Sequence, residues 1–431
     1  MTDLPPGWAS TRLGDVVDVL DSQRVPVNAK ERESRRGSVP YYGAAGQVGW
    51  IDRPIFQEEL VLLGEDGVQF FQPEARKAYR ISGPSWVNNH AHVLRPRGSL
   101  IDERLLCHAL NHADYRSFAN GTTRLKLTQA AMLQIPVTLP PRDEQRRIVE
   151  VLEAHLSRLE AGTQDLARAD ARLRSLLQSV VATATSRASG INRQSWPTVA
   201  IGDVAEVQGG IQKQPSRVPR QNRHPFLRVA NVTRYGLRLH EVHEIEVFDG
   251  ELERYKLMSG DLLVVEGNGS PSQVGRAVMW GGELNDCVHQ NHLIRVRPSG
   301  GAVNPRFLEI AWNAPETRRR LSDLASSTSG LHTLSTRKIK ALRLPMPTLA
   351  DQNDAVESVD RWRTGIDVTA ASLGMLSRRS EVLRRSLLRA AFSGRLVPQD
   401  PNDEPAELLL KRIQAVHTAE APRTRRTREV G

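Results

Sequence analysis

The sequence is poor in cysteine, in lysine and in long apolar runs. Only Cys107 and Cys287 occur among 431 residues, which excludes a disulfide framework and a zinc or iron–sulfur site built from several cysteines. No apolar run approaches the ~18–20 residues that span a bilayer. The opening segment MTDLPPGWASTRLGD lacks the apolar core of a signal peptide. We therefore expect an intracellular, cytoplasmic protein with no membrane segment.

Arginine is the residue in excess. The chain has 59 Lys+Arg against 49 Asp+Glu and a net charge of +10, and only eight of the basic residues are lysine. A GC-rich genome would favour arginine codons whatever the function. The arginine guanidinium can also donate two parallel hydrogen bonds to a phosphate or to the edge of a guanine, which lysine cannot do. The charge therefore leaves both a codon bias and a nucleic-acid partner open.

Short motifs recur along the chain in the same order. Leu13–Val16 (LGDV) returns as Ile201–Val204 (IGDV), Asn89-His90 returns as Asn291-His292, and Leu127-Thr128 returns as Leu334-Ser335. The three offsets are 188, 202 and 207 positions, a drift that loop-sized insertions explain. Such ordered matches predict a tandem duplication of a unit of about 200 residues.

Each repeat divides into a mixed part and a long helix. The mixed parts, 1–142 and 192–350, contain short β-type runs separated by Gly, Pro and Asn clusters. The stretches 143–191 and 351–392 are free of proline and carry apolar residues seven positions apart. The predicted fold is α+β, with two tandem mixed α/β domains separated by two long helices that form an antiparallel coiled-coil spacer.

The seven-residue spacing defines the predicted seam of that coiled coil. Each helix of about 40 residues would be about 60 Å long. The alternative is that each helix packs only on its own domain as ordinary core. Trp362, Leu376 and Leu383 flank the seam, and its members are Leu152, Leu159, Leu166, Leu173, Val180, Val359, Ile366, Leu373 and Leu387.

A basic segment free of acidic residues lies in the second repeat, between Val207 and His240. Prolines, glycines and glutamines interrupt it, which is typical of an extended loop that feeds a strand. Such a loop can follow a phosphate backbone and present Arg or Gln to base edges, although a solvated basic loop is the common alternative. Its basic residues are Lys213, Arg217, Arg220, Arg223, Arg228, Arg234 and Arg238.

Motifs of catalysis are missing from the sequence. There is no Gly-rich phosphate loop followed by Lys-Ser/Thr and no G-x-S-x-G elbow. The run Asn88-Asn89-His90-Ala91-His92 could suggest a metal site, but the second copy keeps only Asn291-His292. We expect no catalytic residue and no metal site in this chain. The alternatives are a restriction or methylation enzyme with an unrecognised site, and a coiled-coil scaffold without a role on DNA.

Motifs at the junction of domain and helix resemble those of the specificity subunit of type I restriction–modification systems. The first copy has Leu127-Thr128, Pro140-Pro141 and Glu144-Gln145, and the second has Leu334-Ser335, Pro347 and Asp351-Gln352. Near the end of the chain, residues 387–398 (LLRAAFSGRLVP) resemble the closing element of the family.

The resemblance implies a function and partners. Each mixed domain would be a target-recognition domain for one half of an asymmetric bipartite sequence in double-stranded DNA. The helix pair would set the gap between the halves and dock two adenine-N6 methyltransferase subunits, and motor-nuclease subunits would join for cleavage. AdoMet, ATP and Mg²⁺ would belong to those partners. The resemblance ends at about residue 415 with a closing element at 393–415. The tail at 416–431 lies beyond it, and its basic composition predicts disorder.

The family motifs mark the scaffold, so the residues that contact DNA are predicted from charge and position. We expect aromatic, amide and basic side chains next to the variable loops to make these contacts. The predicted DNA-binding residues are Tyr41, Tyr42, Gln47, Lys77, Arg124 and Lys126 in the first domain, and Lys213, Arg217, Arg220, Arg223, Arg228, Gln273 and His332 in the second.

Overall fold

The computed structural model describes residues 4–121, 124–186, 196–233, 236–270, 273–328 and 331–412. The chain divides into two compact units: unit 1 is Met1–Leu166 with Met375–Gly431, and unit 2 is Ala167–Gly374. Each unit therefore contains one mixed domain and parts of both long helices. The predicted tail at 416–431 lies outside the described residues.

Unit 1 is built from short strands and helices that precede the first long helix. The β3–β7 pair in this unit is parallel and the other strand pairs are antiparallel. The elements are β1 (Ala9–Arg12), α1 (Leu13–Val16), β2 (Val17–Val19), α2 (Ala29–Ser34), β3 (Val39–Gly43), β4 (Gly46–Ile51), β5 (Leu60–Gly64), β6 (Ala78–Ile81), β7 (Trp86–Val87), β8 (Ala91–Pro96), α3 (Glu103–His112), β9 (Ala119–Asn120), β10 (Lys126–Leu127), α4 (Gln129–Leu133), β11 (Pro136–Leu139) and α5 (Arg142–Ser186).

The elements that the two units share follow one another in the same order. Among the described residues, unit 2 has no α-helix at the place of α2, and it contains two further helices and one further short strand. Its one parallel pair among the described residues is β14–β19. The elements are β12 (Thr198–Ala200), α6 (Ile201–Val204), β13 (Ala205–Gly209), β14 (Arg223–Leu227), β15 (His243–Glu246), α7 (Glu251–Tyr255), β16 (Leu262–Val265), β17 (Gly267–Asn268), β18 (Ala277–Met279), β19 (Val288–His289), β20 (Leu293–Pro298), α8 (Pro305–Asn313), α9 (Pro315–Leu324), β21 (Ser326–Thr328), β22 (Leu331–Thr333), α10 (Thr336–Ala341), β23 (Arg343–Pro345) and α11 (Leu349–Phe392).

Two sheets of unit 1 have the same strand order as two sheets of unit 2. In unit 1 the strand orders are β2-β8-β5-β6 and β4-β3-β7, and in unit 2 they are β13-β20-β16-β18 and β15-β14-β19. Both faces of the central strands β5 and β16 are covered, which explains why their apolar runs are continuous rather than alternating. The duplication predicted from the sequence is therefore present in the fold.

The two long helices start within two residues of the beginnings of the proline-free stretches at 143 and 351. Helix α5 begins at Arg142, one residue before the predicted start, and α11 begins at Leu349, two residues before it. At α11 the Thr348 hydroxyl accepts a hydrogen bond from the Asp351 backbone N–H, which is an N-cap contact. Helix α11 ends at Phe392 as predicted, whereas the predicted end of α5 at 191 lies outside the described residues.

The helices pair in opposite directions. In unit 1 early residues of α5, among them Leu152, share a core with late residues of α11, among them Ala391. In unit 2 late residues of α5, among them Ala184, share a core with early residues of α11, among them Val359. This order is that of an antiparallel helix pair, as the sequence predicted.

Four of the predicted seam residues, Leu152, Val180, Val359 and Leu387, pack in or against the apolar cores. Leu152, Val359 and Ile366 are buried. The remaining seam residues are half-buried: Leu159, Leu166, Leu173, Val180, Leu373 and Leu387. By contrast, the flanking residues Trp362, Leu376 and Leu383 are exposed, each by 45% or more. The seam therefore packs while its flank remains open to solvent.

The segment after α11 completes unit 1. Ala406 and Leu410 belong to the apolar core of the mixed domain, and the Ala406 N–H donates to the Gly7 carbonyl. Asp403 forms an ion pair with Arg147 in the first turns of α5, with 2.5 Å between Nη2 and Oδ2. None of the helices in the described residues combines the length and the hydropathy needed to cross a membrane.

Candidate nucleic-acid interface

One backbone frame occurs in both units at the end of the central strand. In unit 1 the Glu65 N–H donates to the His90 carbonyl, and the Leu127 N–H donates to the Glu65 carbonyl. In unit 2 Glu266, His292 and Leu334 make the same two bonds. The frame brings a strand end, a histidine turn and the loop before α4 or α10 together in each unit. We call these places frame 1 and frame 2.

Frame 1 carries a network of charged side chains. Asp66 Oδ1 lies 2.8 Å from Arg124 Nη2 and 2.9 Å from His90 Nδ1. Glu65 lies 3.1 Å from Lys126 Nζ and 2.9 Å from Arg24 Nη1. Burial would raise the pKa of Glu65, but Arg24 and Lys126 hold that pKa below its usual value. Two predicted DNA-binding residues, Arg124 and Lys126, thus meet on this exposed surface.

The hairpin of β3 and β4 borders frame 1. Its tip approaches the end of β5 so closely that a Cβ on Gly64 would lie 3.3 Å from the Ala44 carbonyl. Gln47 is exposed near the tip, and its Nε2 donates to the Gly49 carbonyl. Tyr42 is half-buried, with its ring 6.0 Å from that of Tyr79. The hairpin tip, with Gln47 near it, therefore lies next to the end of β5, whereas Tyr42 packs against an apolar core.

Two residues predicted to contact DNA are buried in the core instead. Tyr41 is 1% exposed, and its hydroxyl donates to the Val27 carbonyl. Lys77 is 2% exposed, and its ammonium donates to backbone carbonyls, including that of Gln72 at 2.7 Å. Burial lowers the pKa of Lys77. Because the polar atoms of both side chains are engaged inside the domain, we remove both residues from the proposed interface.

Frame 2 has the same backbone but different side chains. Strand β17 pairs with β22 so that Asn268 lies opposite His332. The carboxylate of Glu266 lies 2.9 Å from His292 Nδ1. Gln273 is half-buried, and its carbonyl accepts a hydrogen bond from the Arg276 guanidinium. The predicted residues Gln273 and His332 therefore fall at frame 2.

A long connection between β14 and β15 lies beside frame 2, where the first copy has only a short hairpin tip. Arg276 binds this connection, because its guanidinium donates to the carbonyls of Val229 and Val232. Arg228 is half-buried, with Nη2 3.5 Å from Glu241. Arg234 lies outside the described residues. The connection adds polar backbone and basic residues to this side of unit 2.

The basic loop before β14 is fastened to the sheet through its backbone. Glu246 accepts hydrogen bonds from the backbone N–H groups of Arg220, Gln221 and Asn222. These backbone bonds hold the pKa of the Glu246 carboxyl below its usual value. The side chains of Lys213, Arg220 and Arg223 remain exposed. A fixed backbone with exposed cations is suited to contacting phosphates.

Arg217 differs from its neighbours in this loop. Its guanidinium makes two hydrogen bonds of 2.8 Å to Glu251 and lies 4.3 Å from the Phe248 ring centroid. The bond to Glu251 raises the pKa of Arg217. The side chain is thus committed to folding the loop. It lines a cavity of about 480 Å³ together with Lys213, Phe226 and Arg228.

A group of possible metal ligands adjoins frame 1. Asp21, Glu65 and His92 bring a ligand atom each within 4.8 Å of one another. Arg24, however, lies 3.3 Å from Asp21 and 2.9 Å from Glu65, where a cation would be expected. The two ring nitrogens of His92 contact Asp21 and the Leu127 carbonyl. The geometry is that of an ion-pair network, and it offers no free histidine nitrogen to a metal.

Several residues of this candidate interface were not predicted from the sequence. Glu65 and Asp66 hold the cations of frame 1, and Val48 and Trp50 of β4 are more than half exposed beside Gln47. The repeated Asn-His pair at 89–90 and 291–292 was the available signal, since both histidines lie in the frames. This repeated pair indicated where the frames lie, but it did not identify Glu65 and Asp66 as the partners of the cations.

Comparisons with known proteins agree with this duplicated architecture. Residues 5–167 match the family model described as the type I restriction modification DNA specificity domain. The chain is 26% identical over 355 residues to the EcoKI specificity subunit of Escherichia coli K12, which covers 76% of this chain and 74% of that protein. It is 24% identical over 357 residues to a putative type I restriction enzyme specificity subunit of Haemophilus influenzae, S.HindORF215P, covering 82% and 86%.

A solved structure has the same fold. It comes from work on complex assembly and conformational transition of the type I R-M system, and it aligns with a TM-score of 0.66 at 17% identity. The alignment covers 92% of this chain and 100% of that chain. In its matched first domain and in the curated relatives that it aligns with, the chain is similar to DNA-specificity subunits of type I restriction enzymes. The resemblance to type I restriction–modification specificity subunits noted in the sequence is confirmed.

Proposed function

We propose that this chain is the non-catalytic DNA-specificity subunit of a type I restriction–modification complex. The observation that carries the proposal is the pair of frames, which share a backbone but expose different side chains. Arg124 and Lys126 lie at frame 1, whereas His332 and Asn268 lie at frame 2. A DNA-binding protein with two copies of one domain, each exposing a different surface, is suited to a bipartite target whose halves differ in sequence.

Each half of the target is read by one mixed domain. Exposed cations position the phosphate backbone, and amide, histidine and arginine side chains contact base edges. Unit 1 contributes Tyr42, Gln47, Arg124 and Lys126. In unit 2 the contact residues are Lys213, Arg220, Arg223, Arg228, Gln273 and His332, while Arg217 supports the loop. Binding is expected to weaken steeply with salt.

The long helices set the gap and bind the methyltransferase partners. On α11, Met375, Leu376, Val382 and Leu383 of unit 1 are each at least 45% exposed, and they recur seven residues apart. An exposed apolar stripe of this kind on a helix is suited to packing against another helix. The equivalent positions of α5 are Arg168, Ala169, Ser175 and Leu176, so this stripe occurs on α11 and not on α5. The proposal of two adenine-N6 methyltransferase subunits per chain therefore rests on the duplication of domain and helix.

Catalysis belongs to the partners in this proposal. The methyltransferase subunits carry AdoMet, and motor-nuclease subunits that join the complex carry ATP and Mg²⁺. The charged side chains at the frames form ion pairs and hydrogen bonds with one another, as Asp66 and Arg124 do. A complex that acts on chromosomal DNA would work in the cytoplasm.

Genome-wide mapping of N6-methyladenine tests the proposal directly. A host would express this chain together with its neighbouring methyltransferase, or the methyltransferase alone. We expect a new bipartite motif with a fixed gap only when this chain is present. Exchange of residues 1–142 for those of a related subunit should change one half of the motif and leave the other half intact. Absence of a new motif from a soluble complex with an active methyltransferase would contradict the proposal.

A further inference from the structure

Two carboxylates lie beneath the exposed cations of frame 1. Asp66 is 18% exposed while its partner Arg124 is 61% exposed, and Glu65 is 15% exposed while its partner Lys126 is 56% exposed. Each cation therefore projects outward from a more deeply placed carboxylate. This arrangement is unexpected on a surface that binds DNA, because a carboxylate repels phosphate and competes for the cation.

The second copy lacks both members of the Asp66–Arg124 pair. At the positions equivalent to Asp66 and Arg124 the sequence has Gly267 and Leu331, and at the position of Lys126 it has Thr333. The backbone bonds of frame 2 form without these charges. Asp66 is thus not required to build the frame, and it occurs where an exposed cation needs a partner.

The geometry of Arg124 leaves it able to read a base while it is paired. A guanidinium has five N–H donors, and Asp66 engages Arg124 through Nη2. The remaining donors can reach the O6 and N7 acceptors of a guanine. Asp66 in turn fixes the direction of the guanidinium and is itself fixed by His90, 2.9 Å away. A phosphate that approached Arg124 without a matching base would meet the carboxylate as well.

We propose that Asp66 and Glu65 are specificity-determining residues that orient Arg124 and Lys126 toward base edges and weaken binding to DNA that lacks the target half-site. The inference rests on the proposed function, since it assumes that frame 1 faces DNA. It adds that the acidic residues lower the affinity for DNA without the target half-site more than they lower the affinity for the target.

The test uses the full chain in complex with its methyltransferase subunits. Two duplexes serve as probes: the mapped target, and the same duplex with the half read by unit 1 scrambled. Asp66→Asn should bind the scrambled duplex about 3- to 10-fold more tightly than wild type and steepen the dependence of log K on log salt by about 1. Affinity for the target should change less, so discrimination falls. Glu65→Gln should act in the same direction.

Two further variants separate this effect from a change in net charge or in folding. Asp114 is exposed and forms its ion pair with Arg116 rather than with Arg124, so Asp114→Asn removes one charge without freeing Arg124. The double variant Asp66→Asn with Arg124→Gln should return scrambled-duplex binding to the wild-type level. Hydrogen exchange of unit 1 reports whether each variant is folded.

The outcomes of this experiment are distinct. If wild type discriminates between the duplexes but Asp66→Asn and Glu65→Gln bind the scrambled duplex no better than Asp114→Asn does, the inference is wrong and the proposed function stands. If wild type itself binds both duplexes equally, the proposed function fails, and the inference fails with it.

Discussion

Gln145 and Gln352, 207 positions apart, make equivalent hydrogen bonds at the start of the two long helices. The Gln145 Oε1 accepts from the Asp102 N–H, and its Nε2 donates to the carbonyls of Leu100 and Pro140. Both glutamine side chains are fully buried. In unit 1 these hydrogen bonds connect the turn before α3 to the first turn of α5. In unit 2 the equivalent bonds connect the turn before α8 to the first turn of α11.

In the second copy Gln352 Oε1 accepts from the Asn304 N–H, and its Nε2 donates to the carbonyls of Ala302 and Pro347. A glutamine is suited to this position because one amide supplies an acceptor and two donors in a fixed plane. The Pro-Pro…Glu-Gln and Pro…Asp-Gln motifs of the sequence thus have a physical reason. They connect each mixed domain to its helix.

Replacement of Gln145 by leucine should destabilise unit 1. The change leaves one N–H and two carbonyls buried without partners, and we expect the free energy of unfolding to fall by about 2–4 kcal/mol. Gln352→Leu should do the same to unit 2. Hydrogen exchange of peptides from each unit measures the two effects separately.

The control for this prediction is Gln178→Leu, on an exposed position of α5. It makes the same chemical change without removing a buried hydrogen bond, so exchange in both units should stay close to that of wild type. Equal exchange rates in Gln145→Leu and Gln178→Leu would show that the buried bonds contribute no net stability.

Arg220 and Arg223 should contribute to DNA affinity without contributing to the fold. Their side chains are exposed on a loop that Glu246 fixes through its backbone. Arg220→Gln and Arg223→Gln in the full complex are expected to weaken binding to all sequences alike and to lower the salt dependence by about 1 each. Fluorescence anisotropy across a salt series measures both quantities.

Arg217→Gln is the contrasting variant in the same loop. It loses the two hydrogen bonds to Glu251, so it should increase hydrogen exchange in residues 211–228. Arg220→Gln should leave that exchange unchanged. The assignment of roles within the loop would be reversed if Arg217→Gln affected only DNA binding and Arg220→Gln only the fold.

The exposed stripe on α11 should be required for partner binding. Met375→Glu and Val382→Glu place charges about two turns apart on the stripe, where both side chains are more than half exposed. We expect the chain to remain folded and to lose co-purification with the methyltransferase, because a buried carboxylate would oppose helix packing. Light scattering on the purified mixture gives the stoichiometry.

Glu381→Lys changes a charge at a neighbouring exposed position of the same helix. It should leave the complex intact, because residue 381 lies about 120° around the helix from Met375. Complexes of wild-type mass with Met375→Glu and Val382→Glu would exclude the stripe as the docking surface.

Features that repeat or recur locally could be predicted from the sequence. The duplication follows from matched motifs, and the helix pair follows from seven-residue spacing, in which Leu152 and Val359 are indeed buried. The surface of the domains is set by long-range packing that spacing does not encode. Tyr41 packs under α2 because Arg32 covers its ring, 4.8 Å from the guanidinium carbon to the ring centroid.

Lys77 and Asp66 illustrate the same limit for charged residues. Lys77 is buried because backbone carbonyls of its own loop surround the ammonium, an arrangement that local sequence does not specify. Asp66 meets Arg124 across 58 positions of chain. Charge runs therefore identified the basic loop of unit 2, whereas the ion pairs of frame 1 required the fold.

His289 should make unit 2 sensitive to acid. It is fully buried in β19, and burial together with the adjacent Arg295 lowers its pKa to about 3, although the Tyr255 and Gln208 carbonyls act in the opposite direction. An unfolded histidine titrates at about 6.5. Between these two values the unfolded chain binds a proton that the native state does not, so stability falls as the pH is lowered from about 6.5 toward about 3.

The first copy has Val87 at the equivalent strand position, also fully buried. His289→Val should therefore remove the effect, and the loss of stability below about pH 6.5 should become shallower by up to about 1.4 kcal/mol per pH unit. Urea unfolding of unit 2, monitored by hydrogen exchange at about pH 7 and about pH 5, measures how steeply the free energy of unfolding depends on pH. A cavity left by valine would lower the stability at both pH values and leave this dependence unchanged. The reciprocal variant Val87→His should add the same dependence to unit 1. An unchanged slope in His289→Val would mean that the native state accepts the proton at His289 as readily as the unfolded chain does.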